Sequence, residues 1–285
     1  MQKRLGSRAQ IEIGEYNLRQ ALHNVFMCIA ATKTELIDLQ IRIICRESAK
    51  AEGDFIEWGR LEQVTHEEAL TTDFLELLMH CPNYKGINVA LQGLKTLALP
   101  VRGPTLDIDE VYGDEWEFQD FDPEVVANFI SLSPNLEDLT VYFATGDEQA
   151  LVDIETAIPW TNLPNLWALE LGGARLNYQE LISGLTTLKG SLRHLTLRHI
   201  QLDSKTEWIS LIRFLHTELS LSEFEIWEPA EQAGDLCFRN LKGICYQPYR
   251  AWRVKKILPK NLEKYLKDLE ETKLHRSNRD CQHRR

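Results

Sequence analysis

The sequence predicts an α/β fold in which about six strand–helix repeats stack into a curved solenoid. The first observation behind this prediction is a hexad, Leu-x-x-Leu-x-Leu or a close aliphatic variant, that recurs six times along the chain. The second is the spacing of apolar residues, which has a period of two within the hexads and a period near 3.6 between them. Together they indicate a leucine-rich-repeat solenoid, with parallel strands on the concave face and helices on the convex face.

The hexads predict the strands. They begin 58, 42, 30, 26 and 29 residues apart, and the last three separations lie close to the long end of the range typical of leucine-rich repeats. In chain order the hexads are Leu36, Leu39 and Ile41; Leu94, Leu97 and Leu99; Leu136, Leu139 and Val141; Leu166, Leu169 and Leu171; Leu192, Leu195 and Leu197; and Leu221, Phe224 and Ile226.

Apolar residues at helical spacing precede every hexad and predict the convex helices. Asn177 and Thr206 stand where side chains could cap the last two helices. The helical positions are Leu18, Leu22, Val25 and Ile29; Leu70, Phe74, Leu77 and Leu78; Val125, Phe129 and Leu132; Leu151, Ile154 and Ile158; Leu181, Leu185 and Leu188; and Trp208, Leu211, Ile212 and Leu215.

Two irregular spacings define the domain organisation. The separation of 42 residues indicates an acidic insertion at 103–124. The separation of 58 residues is explained either by a degenerate repeat around Leu61 and Val64 or by a second loop. We expect a break at 229–234, so that the solenoid spans 1–234 and a C-terminal cap with a basic helical tail spans 235–285.

The composition restricts the class of protein. The 285 residues carry a net charge of −11, yet residues 250–285 alone carry twelve Lys or Arg against five Asp or Glu. An acidic body disfavours nucleic acid as the main ligand. No apolar run is long enough to span a membrane, and no secretory signal is expected. The six scattered cysteines are typical of reduced, mostly buried thiols, so we expect a cytoplasmic or nuclear protein without a zinc site.

The residues between the hexad leucines form the candidate binding surface, because side chains alternate along a strand and these positions point away from the core. Carboxylates outnumber cationic groups there, so we expect a protein partner with a basic surface. The alternative is a row of solvated strand residues without a ligand. The candidates are Asp138, Thr140, Tyr142, Glu170, His194, Thr196, Arg198, Glu223, Glu225 and Trp227, with Asp38, Gln40, Thr96, Ala98 and Ala168 beside them.

The acidic insertion is a second candidate. Residues 107–124 contain nine carboxylates interleaved with four aromatic residues. Asp114, Glu115, Trp116 and Phe118 could form a docking loop for a basic partner, with the aromatic rings as anchors. The alternative is a solvated loop whose aromatic residues fold back on the solenoid. A calcium loop of the EF-hand type is excluded, because the required glycine and the closing acid are missing.

No enzyme signature occurs in the sequence. A phosphate-binding Gly-rich loop, a dinucleotide fingerprint, a nucleophile elbow and a zinc-protease helix are all missing. His194 and His199 lack a carboxylate at metal-ligand spacing. We therefore expect no catalysis, no cofactor and no metal.

Residues 129–228 resemble the C-terminal half of the F-box/leucine-rich-repeat proteins of filamentous fungi. The resemblance rests on Leu163-Pro164-Asn165-Leu166-x-x-Leu169-x-Leu171, on Ser191-Leu192-Arg193-x-Leu195-x-Leu197, and on Trp208 opening a helix that leads to Leu219-x-Leu221-x-x-Phe224.

In that family an N-terminal F-box docks the linker subunit of a cullin-type ubiquitin ligase, and the repeats hold the substrate. Residues 1–35 lack the Leu-Pro-rich opening and the later tryptophan of that motif, and they look like a repeat helix leading into the first hexad. The resemblance implies a non-catalytic interaction scaffold that serves as the substrate-recognition part of an F-box-type ligase receptor. The alternative is a structural or scaffolding repeat protein with no link to a ubiquitin ligase.

Overall fold

The computed structural model describes residues 7–13, 18–32, 36–43, 69–80, 82, 86–103, 121–144, 151–227, 229–231 and 234–235. The strands are β1 (Ser7–Ile13), β2 (Leu36–Ile43), β3 (Thr96–Arg102), β4 (Asp138–Ala144), β5 (Leu151–Val152), β6 (Ala168–Leu176), β7 (His194–Leu202), β8 (Glu223–Trp227), β9 (Ala230–Glu231) and β10 (Gly234–Asp235). The helices are α1 (Leu18–Thr32), α2 (Thr72–His80), α3 (Ile87–Leu91), α4 (Pro123–Ser131), α5 (Ile154–Ala157), α6 (Tyr178–Thr187) and α7 (Lys205–Glu218).

Seven strands form a parallel sheet in the order β1-β2-β3-β4-β6-β7-β8, which is also their order in the chain. The α/β class and the six predicted strands are therefore confirmed. The sheet is not curled, so the structure does not confirm a curved solenoid. Neighbouring helices pack on one another along the sheet, α2 on α4, α4 on α5, α5 on α6 and α6 on α7.

The hexad side chains form the core together with one face of the helices. Equivalent hexad positions lie directly opposite one another on adjacent strands, so the leucines stack in rows across the sheet. Because β3, β4, β6 and β7 bury the same hexad positions, a slip by one residue would expose a whole row, and the register is strongly specified. The central row is Leu39, Leu97, Leu139, Leu169, Leu195 and Phe224.

A backbone hydrogen-bond pattern repeats where each inner strand begins. One carbonyl oxygen accepts two successive N–H groups from the next unit along the sheet, and this happens at four neighbouring positions. The pattern explains why two outward residues separate the first two hexad leucines. The acceptors are Lys95 (from Glu137 and Asp138), Glu137 (from Trp167 and Ala168), Trp167 (from Arg193 and His194) and Arg193 (from Ser222 and Glu223).

The helical predictions are confirmed for α1, α4, α6 and α7 and need correction elsewhere. Leu77 of α2 is 44% exposed, because Phe74, Leu75 and Leu78 supply the buried side. Leu151 is 49% exposed and belongs to the two-residue strand β5 rather than to a helix.

One of the two predicted helix caps is confirmed. The Asn177 side chain accepts the Gln179 N–H at 2.8 Å at the start of α6. At the start of α7 the cap is Ser204 instead of Thr206, and the Ser204 hydroxyl accepts the Glu207 N–H at 3.3 Å. Thr206 lies inside the first turn, where its side chain cannot reach back to the orphan N–H groups.

The two ends of the described sheet also differ from the prediction. Strand β1 was not predicted and pairs in parallel with β2. The expected break at 229–234 contains two short strands, because the chain pairs again with β7 at Ala230 and Glu231 and then turns back as β10. Pro229 has no N–H and interrupts the ladder only locally.

Some other predictions concern residues that the structure does not describe. Leu61 and Val64 lie outside them, so the choice between a degenerate repeat and a loop stays open. Of the six cysteines only Cys28 is described, and it is a free thiol with an exposed side chain rather than a buried one. No helix of the described chain is long and apolar enough to cross a membrane.

Candidate functional site

The outward residues of β2 to β8 form one surface, which we call the polar face. The strand register aligns them in three rows that cross the sheet. All ten predicted partner-binding residues lie in these rows, although the structure does not describe the side chain of Trp227. The first row is Asp38, Thr96, Asp138, Ala168, His194 and Glu223; the second is Gln40, Ala98, Thr140, Glu170, Thr196 and Glu225; the third is Pro100, Tyr142, Gly172, Arg198 and Trp227.

An ion pair occupies the middle of the polar face. The Arg198 guanidinium donates through Nε to the Glu170 carboxylate, and both side chains are largely shielded from water. Burial nevertheless raises the pKa of Glu170. The Arg198 guanidinium lowers this pKa, and the Asp138 and Glu225 carboxylates raise it further. Glu170 therefore has a structural partner already and is a poor position for testing partner contacts by charge reversal.

The surroundings of a second carboxylate, Asp138 in the first row, also disfavour its charged form. Burial raises the pKa of Asp138, the neighbouring Asp38 carboxylate raises it further, and His194 lowers it. Asp138 and Glu170 also repel one another. The centre of the polar face thus holds more negative charge than its own cations offset.

We predict that Asp138→Asn stabilises the fold more at neutral pH than at acidic pH. Because the pKa of Asp138 is raised in the folded chain, the folded state binds this proton more tightly than the unfolded state does. The free energy of unfolding therefore falls as the pH rises from the ordinary carboxyl value, about 3.9, through the raised folded value. Urea unfolding of both proteins at about pH 3.5 and about pH 7 measures the difference, because the lower value lies below the ordinary carboxyl pKa.

The stability gained by Asp138→Asn should be larger at the higher of the two pH values. Glu76→Gln on α2, which replaces an exposed carboxylate, serves as the charge-matched control and should change stability by less than about 0.5 kcal/mol. Parallel pH curves for Asp138→Asn and the unchanged protein would contradict the prediction.

His194 is the most connected residue of the first row. Its Nδ1 lies 3.0 Å from Glu223 Oε2, and its Nε2 lies 3.2 Å from Ser222 Oγ. Its ring also packs edge-to-face on Trp167, with the ring centroids 4.7 Å apart. These three contacts fix the orientation of the imidazole.

The hydrogen-bonded order Ser222–His194–Glu223 is that of a serine-hydrolase triad, so the N–H groups next to Ser222 need to be considered. A hydrolase needs N–H donors aimed at the developing oxyanion. The N–H groups of Ser222 and Glu223 both donate to the Arg193 carbonyl, at 2.7 and 3.1 Å. Ser222 Oγ lies 3.1 Å from the same carbonyl and can donate to it. The two N–H groups next to Ser222 Oγ are therefore already engaged within the sheet.

Tyr142 lies in the predicted row but is not accessible to a partner, being only 6% exposed. Its ring lies over β6, where Gly172 and Gly173 leave room for it: a Cβ at these positions would stand 2.6 and 2.7 Å from ring carbons. On the far side the ring contacts His199 edge-to-face. Both glycines lie inside strand β6. Tyr142 therefore belongs to the packed structure and not to the binding surface.

Two residues beside the polar face were missed from the sequence. Trp167 is 42% exposed and contacts His194, and Ser222 bonds to the same imidazole. Both occupy the position just before the first outward residue of a strand, where the hexad has its first variable residue. The sequence signal that could have identified this contact was a tryptophan, Trp167, at a variable position of the hexad.

The predicted docking loop of Asp114, Glu115, Trp116 and Phe118 lies outside the described residues, and its function stays a prediction. The end of the insertion is described. Phe121 packs edge-to-face on the buried Phe143 at 6.1 Å, and Asp122 caps helix α4 through the Glu124 N–H at 2.9 Å. Phe121 and Asp122 therefore attach the end of the acidic segment to the core and to helix α4.

Among the described residues no group of three or more His, Cys, Asp or Glu side chains could hold a metal ion. No protein-family model matches the chain, and no curated protein matches it either.

Proposed function

We propose that the chain is a non-catalytic protein-interaction scaffold whose polar face binds a partner with a basic surface. The observation that carries the proposal is that the strand register places five carboxylates on one face of the sheet, and burial raises the pKa of two of them, Asp138 and Glu170. Groups that reduce stability are typical of functional surfaces. A cationic partner would stabilise both carboxylates in their charged form.

We also propose that the sheet and its helices are a leucine-rich-repeat solenoid. The chain order of the strands, the rows of equivalent hexad residues and the repeated double acceptance by one carbonyl all support a repeat architecture. The support comes from the repetition itself, because each unit offers the next one the same backbone and side-chain contacts.

The proposed cellular role is substrate recognition for an F-box-type ubiquitin ligase, supported by the resemblance of residues 129–228. One observation favours the alternative, a scaffold without a ligase link. Residues 7–43 form strand β1, helix α1 and strand β2, which extend the parallel sheet. They are part of the repeat architecture rather than a separate docking module.

We predict that Glu223→Gln combined with Glu225→Gln reduces partner capture about tenfold, the equivalent of about 1.4 kcal/mol. Glu223 lies at the exposed edge of the polar face, and Glu225 lies beside it in the second row. The measurement is affinity purification of the tagged full chain from its native cells, with each captured protein quantified by mass spectrometry.

Glu76→Gln combined with Glu124→Gln is the matched control, since both residues are exposed carboxylates on helices. Undiminished capture by the polar-face variant would contradict the proposed surface. Recovery of a cullin-ligase linker subunit would support the receptor role, and a specific partner without any ligase component would support the alternative.

A further inference from the structure

We infer that the polar face recognises an arginine of its partner, with the guanidinium packed on the Trp167 ring and paired with first-row carboxylates. This inference rests on the proposed function and names the chemistry of its partner. It concerns the part of the face formed by Asp138, Trp167, Ala168, His194 and Glu223, which we call the Trp167 patch.

The Trp167 ring is both accessible and held in place. Its side chain is 42% exposed, the one tryptophan among the exposed large apolar residues of the described chain. Its ring contacts the His194 ring at 4.7 Å, and His194 is held by Glu223 at 3.0 Å and by Ser222 at 3.2 Å. A fixed aromatic surface loses little conformational freedom on binding, which is why tryptophan is enriched among residues that dominate binding energy.

Ala168, which follows Trp167 in the chain, has the smallest side chain of the first row. Ala168 is paired with Asp138 on one side and with His194 on the other. Strands two apart are separated by about 10 Å, and only the Ala168 methyl group stands between the two polar side chains in this row. A planar group entering over Ala168 would meet a carboxylate on the Asp138 side and aromatic rings on the Trp167 side.

The charge of the patch favours a cation. The Asp38 and Glu170 carboxylates both repel Asp138. The Arg198 guanidinium is already engaged by Glu170, and the His194 ring lies 3.0 Å from Glu223. An added cation therefore gains attraction from carboxylates that the face does not fully offset, and an acidic partner would be repelled.

Arginine fits this combination better than lysine does. The guanidinium is planar and weakly hydrated, stacks on aromatic rings and donates to carboxylates through a fixed fork. The lysine ammonium is a strongly hydrated point charge that uses the carboxylates but gains less from the ring.

The test uses the full chain and three fluorescently labelled nine-residue peptides of glycine and serine that carry three arginines, three lysines or three citrullines. Citrulline keeps the shape of arginine without its charge. Anisotropy at low ionic strength should show the arginine peptide binding roughly three- to fivefold more tightly than the lysine peptide, as expected for an exposed cation–π contact. The citrulline peptide should bind much more weakly than either.

Trp167→Ala should remove the preference for arginine, and Trp167→Phe should retain part of it. Leu151→Ala, at another exposed apolar residue, is the control and should leave the preference unchanged. Urea midpoints close to that of the unchanged protein show that each variant is folded.

Equal affinity for the arginine and lysine peptides, with both reduced by the Glu223→Gln and Glu225→Gln changes, would overturn the arginine inference and support the basic-partner proposal. If no cationic peptide binds, the arginine inference is overturned. The basic-partner proposal then falls as well only when the same two glutamine changes also leave capture from cells undiminished.

Discussion

Replacing Leu195 by Ala is expected to lower the free energy of unfolding by about 2–5 kcal/mol, the range for a buried leucine truncated in a close-packed core. Leu195 is 1% exposed and stands in the central hexad row between Leu169 and Phe224. Both neighbours are held by their own strands and cannot move inward to fill the space. The loss should be measured by equilibrium urea unfolding.

Leu77→Ala is the matched control for Leu195→Ala, because it removes the same atoms from a side chain that is 44% exposed. The control should change stability by less than about 0.5 kcal/mol, as is usual for surface substitutions. A loss below about 1 kcal/mol for Leu195→Ala would contradict the packing of the hexad rows, since no core leucine is expected to be that tolerant.

Gly173→Ala is expected to reduce stability by about 2–4 kcal/mol, through backbone strain and overpacking together. Gly173 has a φ of 72°, a conformation that a side chain disfavours. Its added Cβ would also stand 2.3 Å from the Phe143 carbonyl oxygen and 2.7 Å from the Tyr142 ring. A backbone atom cannot swing aside as a flexible side chain can, so the clash must shift β4 against β6.

Gly190→Ala separates this effect from the general cost of replacing a glycine. A Cβ at Gly190 meets no atom within 4 Å, and its φ is not positive. The control should be neutral or slightly stabilising, because alanine restricts the unfolded chain more than glycine does. Comparable losses for both variants in urea unfolding would show that the contact between Tyr142 and the Gly172–Gly173 pair is not the cause.

The register of the sheet could be predicted from the hexads because burial repeats with the period of a strand. Leu97, Leu139 and Leu169 lie opposite one another as the hexad alignment requires. The outward residues followed directly from the same alternation, and so the rows that contain Asp138, Glu170 and Glu225 were available before the structure.

The predictions that failed depend on contacts between units. Nothing in the local pattern around Leu77 shows that Leu75 is the more deeply buried of the two. The β1 strand was missed because its short segment has no hexad and gains its pairing from β2. Tyr142 has the alternation of an outward residue, and only the two glycines on the neighbouring strand explain why it is covered.

The sequence by itself determined the α/β class, the parallel strands, the order of their equivalent positions and the acidic character of the outward surface. These properties follow from local periodicity and from the sum of charges. Only the tertiary structure decided which carboxylates are already paired, which have a raised pKa, that Tyr142 is covered and that Trp167 is presented next to His194. Those properties depend on distances between residues on different strands, and folding sets those distances through packing rather than through any local pattern.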